Sequence, residues 1–295
     1  MVFPICCIFD KTFQSMKIKA TNYFIYTLLV ISLSISCKES NHSSEISKAT
    51  IPDSTKQDLR DHETLMSVLY QQQAAEYRAL CNQAYNLAHI KLKEELKKKH
   101  SGLPIAIVTD LDETALDNSD FYGELYKDNS TYDAASWTKW CKKEKADSVP
   151  GSVSFFRYAD KQKVPIFYIS NRDTSLVEAT MNNMKALGFP QIEKEHFLFK
   201  SNTSSKEARR KEVSKTHHIV LLLGDNLNDF DSTFEHKAII YRKLEVDKVK
   251  SIWGDRFIVF PNAIYGEWEN ALYDYKSNLS INEKDSLRVL RLRGY

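Results

Sequence analysis

Four short, almost wholly apolar runs constrain the fold of this 295-residue chain more than any other feature of its sequence. Each run has the length of a buried strand, and helix-like patterns such as 175–187 and 206–215 lie between the runs. Strands that alternate with helices predict an α/β fold, in which a Rossmann-like parallel sheet carries helices on both faces. The runs are 105–108, 165–169, 219–223 and 257–260, with 238–241 as a further candidate strand.

The N-terminus has the pattern of a targeting signal. Lys17 and Lys19 precede an apolar stretch at 23–35 that is too short to cross a bilayer comfortably, and small residues then lead to Cys37. We therefore predict a signal peptide at 1–37 that ends at a lipidated Cys37. The small residues before Cys37 resemble a bacterial lipoprotein cleavage site. We therefore expect an extracytoplasmic protein with a lipid anchor in a bacterial membrane, the outer one, facing the periplasm or the cell surface.

The bounds of this leader allow two alternatives. Met16 is a second candidate start, because Lys17 would then follow it directly as the charged part of the signal. A simple secreted protein, cut near Ser36, is the alternative to lipidation. Residues 38–58 are polar and rich in Ser, Thr, Asn and Lys, and we expect them to form a disordered tether.

The chain beyond the leader is electrically balanced, with 38 basic and 38 acidic residues after residue 36. It has no basic run longer than 97–99, so we predict no binding to a nucleic-acid polymer. A hydrophobic content of 42% is enough to bury a sizeable core. Cys81 and Cys141 are expected either to form a disulfide or to remain two buried thiols.

Two segments predict a smaller, mostly helical cap beside the sheet, within a domain at 59–295. Apolar residues recur at helical steps from Leu65 to Leu96, which predicts an amphipathic helix or a helical hairpin. The insert at 120–150 is too aromatic for a simple crossover loop. We place the cap elements around 59–100 and 120–150.

Acidic and polar residues follow three of the apolar runs directly. Open parallel sheets bind ligands beyond the carboxyl ends of their strands, so these residues are expected to meet at one edge. Taken singly they have ordinary explanations as turn or helix-cap residues, but their joint placement predicts a site. The segments are DLDET at 110–114, SNR at 170–172 and GDNLND at 224–229.

Together with the residues that flank them, these segments resemble the class C acid phosphatases, which are bacterial lipoprotein nucleotidases of the haloacid-dehalogenase (HAD) superfamily. That superfamily has a first motif of the form D-x-D-x-T at the end of a core strand. The resemblance runs from about residue 70 to about residue 275 and implies a HAD-like fold. The four motifs are DLDETALDNS at 110–119, ISNR at 169–172, GDNLNDF at 224–230 and PNAIYGEW at 261–268.

The resemblance implies a Mg²⁺-dependent phosphatase in which Asp110 attacks phosphorus. Asp110 and Asp112 lie two residues apart and point to the same side of an extended chain, which lets Asp112 protonate the leaving oxygen and later activate water. A helix cap is the alternative role for Asp112. A carboxylate nucleophile needs a cation beside it, and Mg²⁺ fits an oxygen of Asp110, the main-chain carbonyl of Asp112, and Asp225. This hypothesis requires that the oxygens of Asp110 and Asp225 lie close enough to hold one ion.

The resemblance also implies residues that bind the phosphoryl group. Ser170 or Asn171 would hydrogen-bond it, and Arg172 would reach the phosphate or a neighbouring carboxylate.

The resemblance also implies a lysine that neutralises the phosphate and the nucleophile. Lys206 is favoured over Lys200, because Lys206 begins a helix after a Ser-rich cap whereas Lys200 prolongs an apolar run. Asp229 is expected to support the metal's waters or to orient Lys206.

The aromatic residues suggest how a substrate is held. In the resembled family such side chains stack a nucleobase, and by position Tyr265 is the first candidate, Trp137 the second and Tyr122 a third. A plain helical core around Trp137 and Trp140 is the alternative.

The predicted activity is that of an acid phosphatase and 5′-nucleotidase. Two alternatives remain open: a phosphatase for sugar or aryl phosphates, and a lipoprotein that only binds nucleotide or metal. The sequence also leaves the oligomeric state open, and a homodimer is one of the possible states.

Overall fold

The computed structural model describes residues 62–100 and 102–295, and the predicted signal peptide, Cys37 and tether lie outside this part of the chain. Seven strands occur within it: β1 (Ile105–Thr109), β2 (Leu116–Asp117), β3 (Asp147–Ser148), β4 (Ile166–Asp173), β5 (Phe197–Lys200), β6 (His218–Gly224) and β7 (Phe257–Val259). The helices are α1 (His62–Gln73), α2 (Ala75–Glu95), α3 (Ser119–Lys127), α4 (Ala134–Cys141), α5 (Ser152–Lys161), α6 (Val177–Leu187), α7 (Glu207–Ser214), α8 (Ile239–Lys248), α9 (Glu267–Leu272) and α10 (Ile281–Arg291).

The main sheet has five parallel strands in the order β5-β4-β1-β6-β7. The chain runs outward from β1 through β4 to β5, and it then crosses back over β1 to build β6 and β7 on the other side. The carboxyl ends of β4, β1 and β6 are therefore neighbours at the point where the strand order reverses. That point is where open α/β sheets form their ligand-binding crevice.

The two faces of the sheet pack against different helices, because successive side chains of a strand point to opposite sides. Ile107 and Leu221 belong to one buried core, which includes side chains of α2, α5 and α6. Their neighbours Val108 and Leu222 belong to a second core, which includes side chains of α7 and α8. The layered α/β architecture predicted from the apolar runs is thus confirmed.

A helical cap lies beside the sheet. The N-terminal helical segment is two helices, α1 and α2, separated at Ala74. α1 packs against α3 of the insert, and Gln72 Nε2 donates to Asp120 Oδ1 at 3.3 Å. β2 and β3 form a small antiparallel ladder at the base of the insert. None of the helices between residues 62 and 295 that the structure describes is long and apolar enough to cross a bilayer.

Two details of the strand prediction differ from the structure. The expectation of a strand at 238–241 was wrong, because these residues begin α8. Adjacent β-branched Ile239 and Ile240 favour a strand locally, yet Ile240 is 60% exposed and Arg242 is buried, where its Nη1 donates to the Phe234 carbonyl at 2.7 Å. The edge strand β5 was not among the predicted strands, and only its first and third residues are buried.

Candidate active site

The three polar segments meet at the carboxyl edge of the sheet, as the strand-end argument predicts. Asp110 follows β1, residues 170–172 lie in the last part of β4, and Asp225 follows β6. The main-chain N–H of Asp110 donates to the Leu223 carbonyl at 2.9 Å, which joins the first and third segments. A cavity of about 640 Å³ opens there, and its wall includes Asp110, Asp112, Tyr122, Trp137, Asn171, Arg172, Lys206, Asp225, Asp229 and Tyr265.

Three carboxylates form an acidic cluster in this cavity. Each of Asp110, Asp225 and Asp229 offers an oxygen that lies within 4.8 Å of the oxygens of the other two. Asn262 Nδ2 donates to Asp225 Oδ2 at 2.8 Å and so holds this carboxylate in place. The close approach of Asp110 and Asp225 that the metal hypothesis requires is therefore present.

The position of Asp229 depends on Gly224, the last residue of β6. Asp229 ends a short 3₁₀ helix, Leu227–Asp229, and its Oδ2 accepts from the Asn226 main-chain N–H at 2.9 Å. A Cβ atom at Gly224 would lie 2.5 Å from both Cβ and Oδ2 of Asp229, closer than such atoms can approach. Only glycine at this position lets the carboxylate fold back over the strand end.

The chemistry of the cluster suits a hard divalent cation. All of its donors are carboxylate oxygens, and no His or Cys of the described residues belongs to it. Mg²⁺ and similar ions prefer such oxygen ligands, whereas softer metals select imidazole or thiolate. The residues present therefore fit the predicted metal class.

Lys206 lies between two of these acids. Its Nζ contacts Asp110 Oδ1, and it lies 2.6 Å from Asp229 Oδ1, with the lysine 5% exposed. Burial alone would lower the pKa of Lys206, but the two carboxylates outweigh it and raise the pKa, so the ammonium stays charged. Lys200 ends β5 and does not line the cavity. The contact of Lys206 with Asp229 is the orientation that the sequence suggested.

One lysine does not balance the three carboxylates of the cluster, two of which are buried. Burial, with the neighbouring Asp229 as the next cause, raises the pKa of Asp225 to about 7. Burial likewise raises the pKa of Asp110 well above its usual range; Lys206 opposes this shift, while Asp229, Asp225 and Asp112 add to it. Near neutral pH the Asp225 carboxyl group is therefore protonated in part, and a divalent cation at the cluster would displace that proton.

Asp112 has a different environment from the cluster, because Arg172 grips it. Arg172 Nε and Nη2 donate to Asp112 Oδ1 at 3.0 and 2.8 Å, and Arg172 is 2% exposed. The remaining Nη1 of Arg172 donates to Thr180 Oγ1 at 2.9 Å, and the guanidinium lies 5.5 Å from the centre of the Trp137 ring. The sequence predicted that Arg172 contacts either the phosphate or a neighbouring carboxylate. In the structure Arg172 binds the carboxylate of Asp112.

Ser170 and Asn171 differ in their access to the cavity. Ser170 is fully buried and does not line the cavity; its Oγ accepts from the Arg172 main-chain N–H at 3.0 Å and lies 3.4 Å from Asp112 Oδ2. Asn171 is exposed and lines the cavity. Arg209, which the sequence analysis did not identify, fixes this segment, since its Nη1 donates to the Ser170 carbonyl at 2.6 Å and its Nη2 to Asn171 Oδ1 at 2.7 Å. Its place three residues after Lys206 on α7 was the available signal.

Two tyrosines form an aromatic wall of the cavity. The rings of Tyr122 and Tyr265 stack with centres 5.1 Å apart and an angle of 23°. The Tyr265 hydroxyl donates to Glu113, a fully buried residue that the sequence analysis passed over although it lies within the DLDET motif. Burial, with Asp112 as the next cause, raises the pKa of Glu113 to about 8. Trp137 lies edge-on to Phe121, with ring centres 5.1 Å apart.

Both cysteines of the described chain are free and buried, which decides between the two states expected for them.

Comparisons with known proteins agree with one another. The family model described as HAD superfamily, subfamily IIIB (acid phosphatase) matches residues 25–268. Two solved structures of the class C acid phosphatase from Bacillus anthracis, one of them with tungstate bound, are each 42% identical to this chain. Each comparison covers 79% of this chain and 98% of the other, with a TM-score of 0.76.

Proposed function

Because this chain belongs to the acid phosphatases of HAD subfamily IIIB, and is therefore a phosphomonoester hydrolase, we propose that it works in two steps with Asp110 as the nucleophile. The observation that most directly supports this proposal is the acidic cluster. Asp110, Asp225 and Asp229 offer oxygens within 4.8 Å of one another, and Lys206 contacts two of these carboxylates. Such a set can bring a carboxylate to a phosphate and offset the negative charge.

In the first step, an Asp110 oxygen forms a bond to phosphorus while the bond from phosphorus to the leaving oxygen breaks. Asp112 gives its proton to that oxygen, so that the product leaves as a neutral alcohol. Lys206 offsets charge on the nucleophile and on the transferring group. Asn171, at the cavity wall, can donate to a phosphoryl oxygen, whereas buried Ser170 supports Asp112.

In the second step, water attacks the phosphorus of the aspartyl phosphate. Asp112, now ionised, takes a proton from that water, so one carboxyl group serves as acid and then as base. The bond between phosphorus and the Asp110 oxygen breaks, phosphate is released, and Asp110 is again a carboxylate.

Mg²⁺ is the cation that the donor set fits: Asp110 and Asp225 would hold it through their carboxylates and Asp112 through its main-chain carbonyl, with Asp229 beside them. When bound, Mg²⁺ supplies positive charge that stabilises the transferring phosphoryl group.

We infer that the substrate is a nucleoside monophosphate. A cavity of about 640 Å³ is in the size range of sites for small organic ligands, and it has an aromatic wall. Tyr122 and Tyr265 already lie against each other, so a base would stack on the outer face of this pair. Stacking accepts any base, which predicts weak base preference. Sugar and aryl phosphates are the competing substrates.

Steady-state assays test the reaction and its substrate together. We expect activity with Mg²⁺, its loss in EDTA, its loss in Asp110→Asn, and a higher kcat/KM for nucleoside monophosphates than for glycerol or phenyl phosphate. An equal kcat/KM for all esters would refute the nucleotide proposal alone. An alcohol acceptor tests the intermediate, because a common aspartyl phosphate must partition between water and acceptor in the same ratio for every substrate.

We also propose that the chain is a lipoprotein modified at Cys37 after removal of 1–36, and that the mature protein is extracytoplasmic. The support is the order of Lys17, the apolar stretch and Cys37 in the sequence. Incorporation of labelled fatty acid into wild type but not into Cys37→Ser is the expected result, and a soluble wild type cut near Ser36 would contradict it.

A further inference from the structure

The carboxamide of Asn118 connects the helical cap to Asp112. Asn118 is fully buried, and its Nδ2 donates to Asp112 Oδ1 at 2.9 Å. Its Oδ1 accepts two hydrogen bonds, from Trp140 Nε1 at 2.9 Å and from Arg172 Nη2 at 3.1 Å. Trp140 belongs to α4 of the insert, so this chain of contacts runs from the cap to the edge of the sheet.

Trp140 fixes which way the carboxamide of Asn118 points. An indole N–H can only donate, and a guanidinium can only donate, so both require the oxygen of the carboxamide. If the carboxamide were reversed, its NH₂ group would face these two donors and its oxygen would face the Asp112 carboxylate. Both contacts would be repulsive in a buried setting, where unmade hydrogen bonds are costly. Trp140 and Arg172 therefore keep the donating NH₂ group of Asn118 on Asp112.

This arrangement makes the two oxygens of Asp112 unequal. Oδ1 accepts from Asn118 at 2.9 Å and from Arg172 at 2.8 and 3.0 Å. Oδ2 has only long contacts, 3.3 Å to Arg172 Nε and 3.4 Å to Ser170 Oγ. The protein therefore occupies Oδ1 with three short hydrogen bonds, whereas Oδ2 has no short partner among the residues that the structure describes and remains the oxygen that can hydrogen-bond to a leaving group.

We propose that Asn118 and Trp140 are positioning residues that commit Asp112 Oδ1 to the scaffold and leave Oδ2 to carry the proton for the leaving group. The proposal rests on the phosphatase mechanism given above. It assigns Trp140 a role beyond the packing of the insert, although the ring also lies partly buried against the main core. The packing role and the positioning role predict different kinetics.

The leaving group separates these two roles. Protonation matters most for esters of weakly acidic alcohols and phenols and little for esters such as 4-nitrophenyl phosphate, whose leaving group departs as an anion. A series of para-substituted phenyl phosphates has leaving groups of nearly constant size, and kcat/KM reports on the step in which the leaving group departs. The slope of log kcat/KM against the pKa of the phenol therefore measures how well Asp112 donates its proton.

Trp140→Phe removes the indole N–H and keeps an aromatic ring. General acid catalysis contributes about 10²- to 10⁴-fold, and we expect partial misplacement to cost about 10-fold in kcat/KM on phenyl phosphate but about 2-fold or less on 4-nitrophenyl phosphate. The matched control is Trp253→Phe, which removes a Trp N–H bond to the Val246 carbonyl in the second core and should leave the slope unchanged.

Asn118→Leu is the second variant and should steepen the slope in the same way, because it removes the donor to Asp112 while keeping a similar shape. If circular dichroism shows that Trp140→Phe does not fold, the slope measured with Asn118→Leu tests the positioning role instead. If a folded variant lost kcat/KM by the same factor on every ester, the positioning role would be wrong. A wild-type protein inactive on every ester would instead refute the phosphatase mechanism, so the two failures are distinguishable.

Discussion

Asp225→Asn should make the metal-free protein more stable and, in the same protein, abolish its response to Mg²⁺. Burial raises the pKa of Asp225 from 3.8 to about 7 on folding. A carboxyl group whose pKa is raised in the folded state favours folding only while it is protonated. Wild-type stability therefore falls as pH rises from about 4 through about 7, and the amide removes this loss.

The size of the effect follows from the shift in pKa. Three pKa units correspond to about 4 kcal/mol. Asp225 keeps some contact with solvent, which screens its charge, so we expect about half of that limit, ~2 kcal/mol, at pH 8 and almost none at pH 4. The amide can keep the hydrogen bond from Asn262, because its oxygen still accepts. Wild type at [Mg²⁺] equal to 100 times Kd should instead gain about 2.7 kcal/mol.

Urea unfolding at pH 4 and pH 8, in EDTA or in Mg²⁺, measures all of these quantities. Asp247→Asn is a suitable control, because it removes an exposed carboxylate of α8. The reasoning is refuted if Asp225→Asn is no more stable than wild type in EDTA at pH 8, or if Mg²⁺ still stabilises it.

Three further predictions concern other groups of the site and the core. Lys206→Met should lower kcat by about 10² to 10³, since it removes a buried charge that offsets the phosphoryl group, and a loss below 10-fold in a folded variant would contradict its role. Tyr265→Phe removes the hydroxyl bond to Glu113 and should raise KM for nucleotides several-fold with little change in kcat, while Tyr241→Phe, at an exposed position, should change neither. Burial raises the pKa of Cys81 to about 11, so iodoacetamide should label this thiol in the native protein far more slowly at pH 8 than in urea, and equal rates would contradict its burial.

The sequence predicted the main strands well, because each is buried on both faces and reads as an unbroken apolar run. The two misjudged segments are those where packing decides the outcome. β5 is an edge strand with half of its residues buried, and 238–241 contain strand-favouring isoleucines that tertiary contacts hold in a helix.

The site could be predicted as far as strand ends determine it. Asp110 and Asp225 follow from the rule that ligands bind where parallel strands end, whereas Lys206 was predicted from the family resemblance and from its place at the start of a helix. The partners of these residues could not be found in this way. The bonds from Asn118 to Asp112 and from Asn262 to Asp225 depend on which side chains approach after folding, and the spacing of residues in a sequence does not contain that distance.

Because glycine at position 224 has no side chain, the residue at this position can be used to distinguish related sequences that can place Asp229 at the strand end from those that cannot. A chain could retain all four aspartates and every strand, yet with alanine at this position it would fold with Asp229 pushed away from the strand end. Such a relative would carry the full set of acidic motif letters and still bind its cation poorly. When genomes are searched by motif, the residue at 224 thus helps to distinguish active enzymes from inactive homologues that share the acidic motifs.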